Sequence, residues 1–291
     1  MKHLALIYNP VSGSGDFKTK LDWVTEALQK RDVTLTLYRT TKDNESLPCF
    51  LREAGAEGIL VAGGDGTLHE AVNTIKQENL HLPVGIIGSG TSNDFASYLG
   101  ITDDLESYFD KVALGRTRYV DLGKVGDKFF VNVASAGVMT AIAHEVPARL
   151  KNALGKAAYY IRGLGELPKF RAVPMEITAD GQSYAAEFFL FVIINSAVVG
   201  SLKNVAVDAK IDDGLLDLLA IKKCGLPDLM KVTSDLIAGN TVTGHKAILH
   251  LQAREFNIAS EANLLSDLDG EVGPYLPLKV TAVPGALRVY G

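Results

Sequence analysis

Gly58-Ile59-Leu60-Val61-Ala62-Gly63-Gly64-Asp65-Gly66-Thr67-Leu68-His69-Glu70 is the stretch that decides the fold. Gly58 to Ala62 carries no polar side chain and reads as a strand buried on both faces. A glycine-rich turn follows, and a helix is expected from about Thr67 to Lys76. The turn also carries chemistry. Glycines let the main chain approach a ligand closely, and the amides at a helix N-terminus favour phosphate. Asp65 is out of place in a pure anion site, but fits if magnesium lies between it and the phosphates. A structural account is available beside this one, with Thr67 as N-cap and Glu70 closing a capping box. It covers those two residues and leaves Gly-Gly-Asp-Gly unexplained.

The same grammar occurs on both sides. Leu4 to Tyr8 is an apolar run that ends in Asn9-Pro10-Val11-Ser12-Gly13-Ser14-Gly15, and Phe17, Leu21, Val24 and Leu28 follow at helical spacing. Val33 to Tyr38 alternates as a strand does. Leu47 to Ala54 reads as a helix with Pro48 in its first turn. Pro83 to Ile87 is a third buried strand, followed by Gly88-Ser89-Gly90-Thr91 and a helix from near Asn93. Strands alternating with helices predict a parallel sheet with right-handed crossovers. Its ligand site is expected at the carboxyl ends of the strands, where the three glycine-rich loops lie.

Near Tyr119 the character changes. Val120–Val125 and Lys128–Ala134 read as a hairpin around Gly126-Asp127. Strand-like pieces then dominate, at 175–179, 185–195, 215–221, 247–251, 255–258 and 278–283, with helical stretches at 147–166 and 227–238. The expectation is an α/β domain over 1–122, a parallel sheet flanked by helices, and a mainly antiparallel β domain over 123–291. The last strand is left free to return to the first domain.

The bulk numbers narrow the class. The chain has 291 residues, 47% of them hydrophobic and 22% charged, enough for two ordinary cores. A net charge of −5 gives no global basic field, which disfavours nucleic acid as a partner. Cys49 and Cys224 are the only cysteines and form no CxxC or Cys/His cluster, as suits a reducing cytoplasm. The run Leu4 to Tyr8 is too short for a signal peptide, and no stretch is apolar enough to span a bilayer.

Gly63 to Thr67 resembles the GGDGT loop shared by diacylglycerol kinases, sphingosine kinases, NAD kinases and, more loosely, 6-phosphofructokinases. Asn9-Pro10-Val11-Ser12-Gly13 resembles the NPxSG loop of lipid kinases, Gly88-Ser89-Gly90-Thr91-Ser92-Asn93-Asp94-Phe95-Ala96 their GTxNDFA segment, and Asp267-Leu268-Asp269-Gly270-Glu271 their late DGE motif. Four motifs in register resemble the bacterial diacylglycerol-kinase-like lipid kinases over nearly the whole chain. The resemblance implies transfer of the γ-phosphoryl group of ATP to a lipid hydroxyl, foremost diacylglycerol to phosphatidic acid, with magnesium (Mg2+).

It also implies roles. Asn9, Ser12, Thr40, the residues Gly63, Gly64, Asp65, Gly66, Thr67, Leu68 and His69, and Thr91 would contact ATP. Asp65 would organise magnesium, with Asp94 and Asp121 as further carboxylates near metal or phosphate. Glu271 would be the general base, with Asp269 beside it, because an attacking alcohol must lose its proton. Read alone, Asp269-Gly270 is equally an ordinary β-turn. Lys210, Asp213 and Leu215 resemble a second, structural magnesium site in some relatives; read alone, Asp212-Asp213-Gly214 is a simple turn. The sequence departs from many relatives in having His69 for Asn and Asp16 for Lys, which bears on nucleotide contacts; Lys18 is a candidate substitute cation.

Between Arg149 and Arg171 six basic residues interleave with Leu150, Leu154, Tyr159, Tyr160, Ile161, Leu164 and Phe170. Such a segment can lie on an anionic lipid surface, or can equally be a helix with a solvated charged face. The expected localisation is cytoplasmic, with transient peripheral contact at the inner membrane face. A lipid is the expected partner, and a homodimer is left open. Two alternatives stand beside the lipid kinase: phosphorylation of a nucleotide ribose as in NAD kinases, and a non-catalytic nucleotide- or lipid-binding regulator. No Asn-Glu pair of the NAD kinase type occurs where expected, and Asp65, Asp269 and Glu271 are all intact.

Overall fold

A computed structural model describes residues 1–101, 104–137, 171–200, 202, 204–206 and 208–291. The chain divides into two units, Met1–Val120 with Gly285–Gly291, and Asp121–Pro284.

In the first unit the parallel strands β1 (Lys2–Tyr8), β2 (Val33–Arg39), β3 (Gly58–Gly63) and β4 (Val84–Gly88) lie in the order β2-β1-β3-β4. All six residues of β3 are buried, as its uncharged sequence requires. Helices α1 (Phe17–Gln29), α2 (Leu47–Glu53), α3 (Asp65–Gln77), α4 (Asp94–Tyr98) and α5 (Leu105–Ala113) accompany them. The chain leaves β1 for β2 on one side and takes β3 and β4 on the other, so a topological switch point lies between β1 and β3. The register Tyr8↔Ala62 and Gly63↔Gly88 brings the carboxyl ends of β1, β3 and β4 level. The three glycine-rich loops therefore leave the sheet at one end.

The second unit is antiparallel. It contains most of β5 (Thr117–Val125), then β6 (Lys128–Phe130), β7 (Val133–Gly137), β8 (Val173–Ala179), β9 (Gln182–Ile194), β10 (Leu216–Lys222), helix α6 (Leu226–Ile237), β11 (Ile248–Ala253), β12 (Glu255–Ala259), β13 (Leu265–Leu268), β14 (Glu271–Tyr275) and the start of β15 (Leu278–Tyr290). Strands run in the order β14-β13-β7-β9-β8-β12-β15, with β10 and β11 joined on through β9. Phe130, Phe188, Phe191 and Phe256 are fully buried in its larger core. A smaller core gathers Val205, Leu219, Val232 and Ile248. Strand β15 pairs with β12 through Leu278 to Thr281, and its Val289 pairs parallel to Val84 of β4.

Two expectations need correction. The strand expected over 128–134 is broken at Val131 and Asn132, because the Asp269 carboxylate draws the amides of residues 131 to 133 out of the ladder. The capping box at Thr67 and Glu70 is also absent. Helix α3 begins earlier, at Asp65 after an extended Gly64, with no side-chain cap. Thr67 Oγ1 accepts instead from Asn9 Nδ2, at 3.1 Å, and Glu70 Oε2 from Asn44 Nδ2, at 2.7 Å. The helix expected at 147–166, and with it the basic segment through residue 170, lies outside the described residues. Among the described residues no helix is long and apolar enough to cross a membrane.

Candidate active site

The three loops of the first unit touch through glycine. A Cβ on Gly90 would stand 2.4 Å from Gly64 Cα, and one on Gly13, whose φ is +59°, would stand 2.4 Å from the Ser89 carbonyl oxygen. A Cβ on Gly63 would meet Thr67 at 2.4 Å, and one on Gly64 would approach Ser12 Oγ to 3.2 Å. Real Cβ atoms essentially never approach within 3.0 Å, so at Gly90 and Gly13 main chain lies against main chain where side chains would otherwise intervene. Asn9 fastens the loops, taking the Val11 amide on Oδ1 and giving Nδ2 to Thr67. Asn93, at φ +51°, closes the third loop through Gly90 N–H to Oδ1 (2.7 Å) and Nδ2 to the Gly90 carbonyl (2.9 Å).

Chemically this is a cradle of main chain at an uncapped helix start. The first helical amides meet no capping side chain, and Asp65 sits in the first turn. Ser89 Oγ is buried without a hydrogen-bond partner among the described residues. The uncapped helix start suits an oxygen-rich anion such as a nucleotide polyphosphate.

The structure thus gathers Asn9, Ser12, Gly63, Gly64 and Thr67 at one place. Thr40 is buried just beyond β2, its N–H on the Tyr8 carbonyl. Leu68 turns into the core and His69 is buried on α3, whereas Thr91 is exposed. Asp94, also buried, opens α4. Ser89 and Asn93 carry no role expected from sequence, although both stand inside the Gly88–Ala96 motif. An Asn among glycines is itself a signal for a left-handed turn.

In the second unit Asp121 is 2% exposed, and its Oδ2 accepts from Gly214 N–H at 2.6 Å. Its own N–H donates to the Ile211 carbonyl. It is joined in this way to the turn that carries Lys210, Asp213 and Leu215. Asp213 Oδ1 accepts from Leu215 N–H at 3.0 Å. Asp213 is exposed, and partial desolvation pushes its carboxyl above the ordinary carboxylate value, opposed by the Leu215 hydrogen bond, while the charges of Asp217 and Asp121 push it further. The Lys210 charge pulls it the other way, and no group of three or more His, Cys, Asp or Glu is arranged to hold a metal among the described residues.

Asp269 is buried at φ +54° and accepts three amides, Val131 on Oδ2 (2.7 Å) and Asn132 and Val133 on Oδ1 (2.9 Å each). Asp267 Oδ1 takes the Gly270 amide at 2.8 Å. This braced turn delivers Glu271, exposed at the first position of β14.

Residues 3–125 match the diacylglycerol kinase catalytic domain, and residues 132–291 match the YegS C-terminal NAD kinase beta sandwich-like domain. The diacylglycerol kinase of Bacillus subtilis (strain 168) is 33% identical over 280 residues, covering 95% of this chain and 92% of that one. The chain belongs to the diacylglycerol kinase family. The diacylglycerol kinase of Staphylococcus aureus (strain MRSA252) is likewise 33% identical, over 95% of this chain and 88% of that one. A solved structure from Bacillus anthracis str. Sterne superposes with a TM-score of 0.85 at 25% identity, covering 99% of this chain and 95% of that one. A further diacylglycerol kinase structure from that strain, 23% identical with a TM-score of 0.77, shares the fold. As a member of this kinase family the chain uses ATP, which suits the cradle at Gly64 and Gly90.

Proposed function

We propose that this protein is an ATP-dependent lipid kinase that converts diacylglycerol to phosphatidic acid. The observation that supports it most directly is the approach of Gly64 to Gly90 and Ser12 at the uncapped start of α3. A backbone cradle on a helix N-terminus accepts polyphosphate without needing a lysine. The lipid acceptor follows from the relatives, which are named diacylglycerol kinases.

In this reading the amides of Gly64 to Thr67 donate to phosphate oxygens, while Asn9 and Asn93 hold the loops in shape. Thr40, His69 and Thr91 line the nucleotide. Asp65, with Asp94, is the carboxylate placed to hold magnesium, which when bound offsets charge on the phosphates. The Glu271 carboxylate takes the proton of the lipid hydroxyl as its oxygen attacks the γ-phosphorus. The bond from phosphorus to the β,γ-bridging oxygen breaks, ADP leaves, and the proton stays on Glu271 until solvent removes it. Asp121 and Asp269, whose carboxylates are spent on main-chain amides, shape the unit that carries the base. Asp213, with the carbonyls of Lys210 and Leu215, forms the second, structural cation site. The protein acts from the cytoplasmic side by transient contact with the membrane.

The test is transfer from radiolabelled ATP to mixed micelles of diacylglycerol, phosphatidylglycerol, a sphingoid base or a polyprenol, with NAD in parallel. Label is expected in phosphatidic acid. Label in NADP would replace the lipid reading with a nucleotide kinase, and absence of transfer to any acceptor would overturn it. Asp65→Asn and Glu271→Gln are each expected to lower kcat by at least about 100-fold while keeping the wild-type circular dichroism spectrum.

A further inference from the structure

We infer that Asn195, Asn132 and Ser196 are positioning residues for the base Glu271, acting through the Asp269 turn; this rests on the assignment of Glu271 as base. None of the three is exposed by more than 3%, and none touches Glu271 by any hydrogen bond.

For Val131, Asn132 and Val133 all to point their amides at one carboxylate, the main chain between β6 and β7 must leave the sheet. The Asn132 and Val133 carbonyls keep main-chain donors, Asn195 N–H and Asp269 N–H, but the Val131 carbonyl takes its donor from a side chain just after β9. Asn195 Nδ2 donates to the Val131 carbonyl at 2.9 Å, and Asn195 N–H to the Asn132 carbonyl at 2.9 Å. Asn132 returns the grip, with Nδ2 on the Val198 carbonyl at 2.7 Å and Oδ1 accepting from the Ser196 hydroxyl. The 131–133 segment is thus held on its amide side by Asp269 and on its carbonyl side by Asn195. Asp269 N–H closes the circuit on the Val133 carbonyl at 2.8 Å. Two residues further along stands Glu271.

The second hydrogen of the Asn195 amide goes to the Asp121 carbonyl at 2.8 Å, and Asp121 in turn holds Gly214. Both neighbours of Nδ2 are carbonyls, which fixes the orientation of the amide. It leaves Asn195 Oδ1 buried with no hydrogen-bond partner among the described residues. An asparagine that leaves its acceptor unmet in order to make two donations is placed for those donations. Aspartate cannot make them, and leucine, of similar volume, leaves two carbonyls unmet. The network thus runs from the Ile211–Gly214 turn to the base entirely within one unit.

The experiment is a cycle of variants in the full chain. Asn195→Ala and the milder Ser196→Ala are each combined with Glu271→Gln, and thermal unfolding is recorded for all. Each single network variant is expected to lower kcat by about 10- to 100-fold, the cost of a base misplaced by about 1 Å, with KM for ATP unchanged. In the Glu271→Gln background, under single-turnover conditions with radiolabelled ATP, the same substitutions are expected to change the residual rate by less than about twofold, because nothing remains to misplace. Full multiplication of the two defects, or a KM for ATP that rises with the loss of kcat, overturns the inference while leaving the base assignment in place. So does wild-type kcat in both single network variants. If Asn195→Ala does not fold, Ser196→Ala, which removes one hydroxyl, decides by the same criteria. Wild-type activity in Glu271→Gln itself overturns the base assignment, and the inference with it.

Discussion

Gly64 and Gly90 meet main chain to main chain: a Cβ added to Gly90 would lie 2.4 Å from Gly64 Cα. Neither loop can retreat cheaply, because Ser89 N–H is bound to the Gly63 carbonyl at 3.0 Å and Gly90 N–H to Asn93. Gly90→Ala is therefore expected to push the phosphate loops apart. ATP affinity, measured by calorimetric titration, should fall at least about tenfold, with a stability loss of about 1–3 kcal/mol by urea unfolding. Gly244, where an added Cβ has no heavy atom within 4 Å, provides the control. Its alanine variant should stay within about 0.5 kcal/mol of wild type. Unaltered ATP affinity in Gly90→Ala would remove the cradle from the binding site.

Asp269 distinguishes anchoring from chemistry. Its replacement by alanine leaves the amides of Val131, Asn132 and Val133 without their acceptor, each in a buried or partly buried setting. A loss of about 3 kcal/mol or more is expected in urea unfolding, together with a fall in kcat. A residue needed only for proton transfer would lose activity at unchanged stability, and that result would return Asp269 to the catalytic group.

How much was legible follows from what each feature depends on. The glycine-rich loops were readable because a glycine answers to main-chain geometry at its own position, and β3 because an uncharged run has few places to go. Helix α5 was equally legible, with Asp104 accepting from Ser107 N–H as its cap and Tyr108, Phe109 and Val112 buried at helical spacing, although no element was expected there. The break at Val131 was not, because its cause is a carboxylate 138 residues away. Nor was the fate of Glu70: the capping-box pattern is present, but Asn44 and Asn9 compete for the two side chains from other loops. Local pattern records what a residue can do, and tertiary neighbours decide which option is used.

Tyr290 carries a removable burden. It is fully buried, and a Cβ on Gly58 would lie 2.2 Å from its hydroxyl, which has no hydrogen-bond partner among the described residues. Tyr290→Phe deletes that group and is expected to stabilise the chain by about 1 kcal/mol at pH 7. The alkaline limb gives a second sign. Burial pushes the phenol from its ordinary 10.0 up to about 12. Between those values the unfolded chain loses the proton first, so wild-type stability falls as pH rises through the window. Tyr290→Phe should lack that part of the fall in urea unfolding at stepped pH. A destabilised Phe variant would mean that the hydroxyl is bonded after all.

Asp213 is expected to be a liability that a cation relieves. Its exposed carboxyl is pushed upward by partial desolvation, and by the charges of Asp217 and Asp121. A raised folded-state pKa means the folded chain holds the proton more tightly than the unfolded chain. The penalty is therefore absent below the ordinary value of 3.8, grows as pH rises through the raised value, and is complete at neutral pH. Asparagine keeps an oxygen for Leu215 N–H but carries no charge. In EDTA, Asp213→Asn should melt above wild type at pH 7, with the gap closing as pH approaches 4, near the ordinary carboxylate pKa. Adding magnesium should raise the wild-type midpoint and leave that of Asp213→Asn nearly unchanged, because binding to the folded state alone stabilises it by mass action. Equal magnesium responses in the two proteins would take the cation away from the Lys210–Leu215 turn.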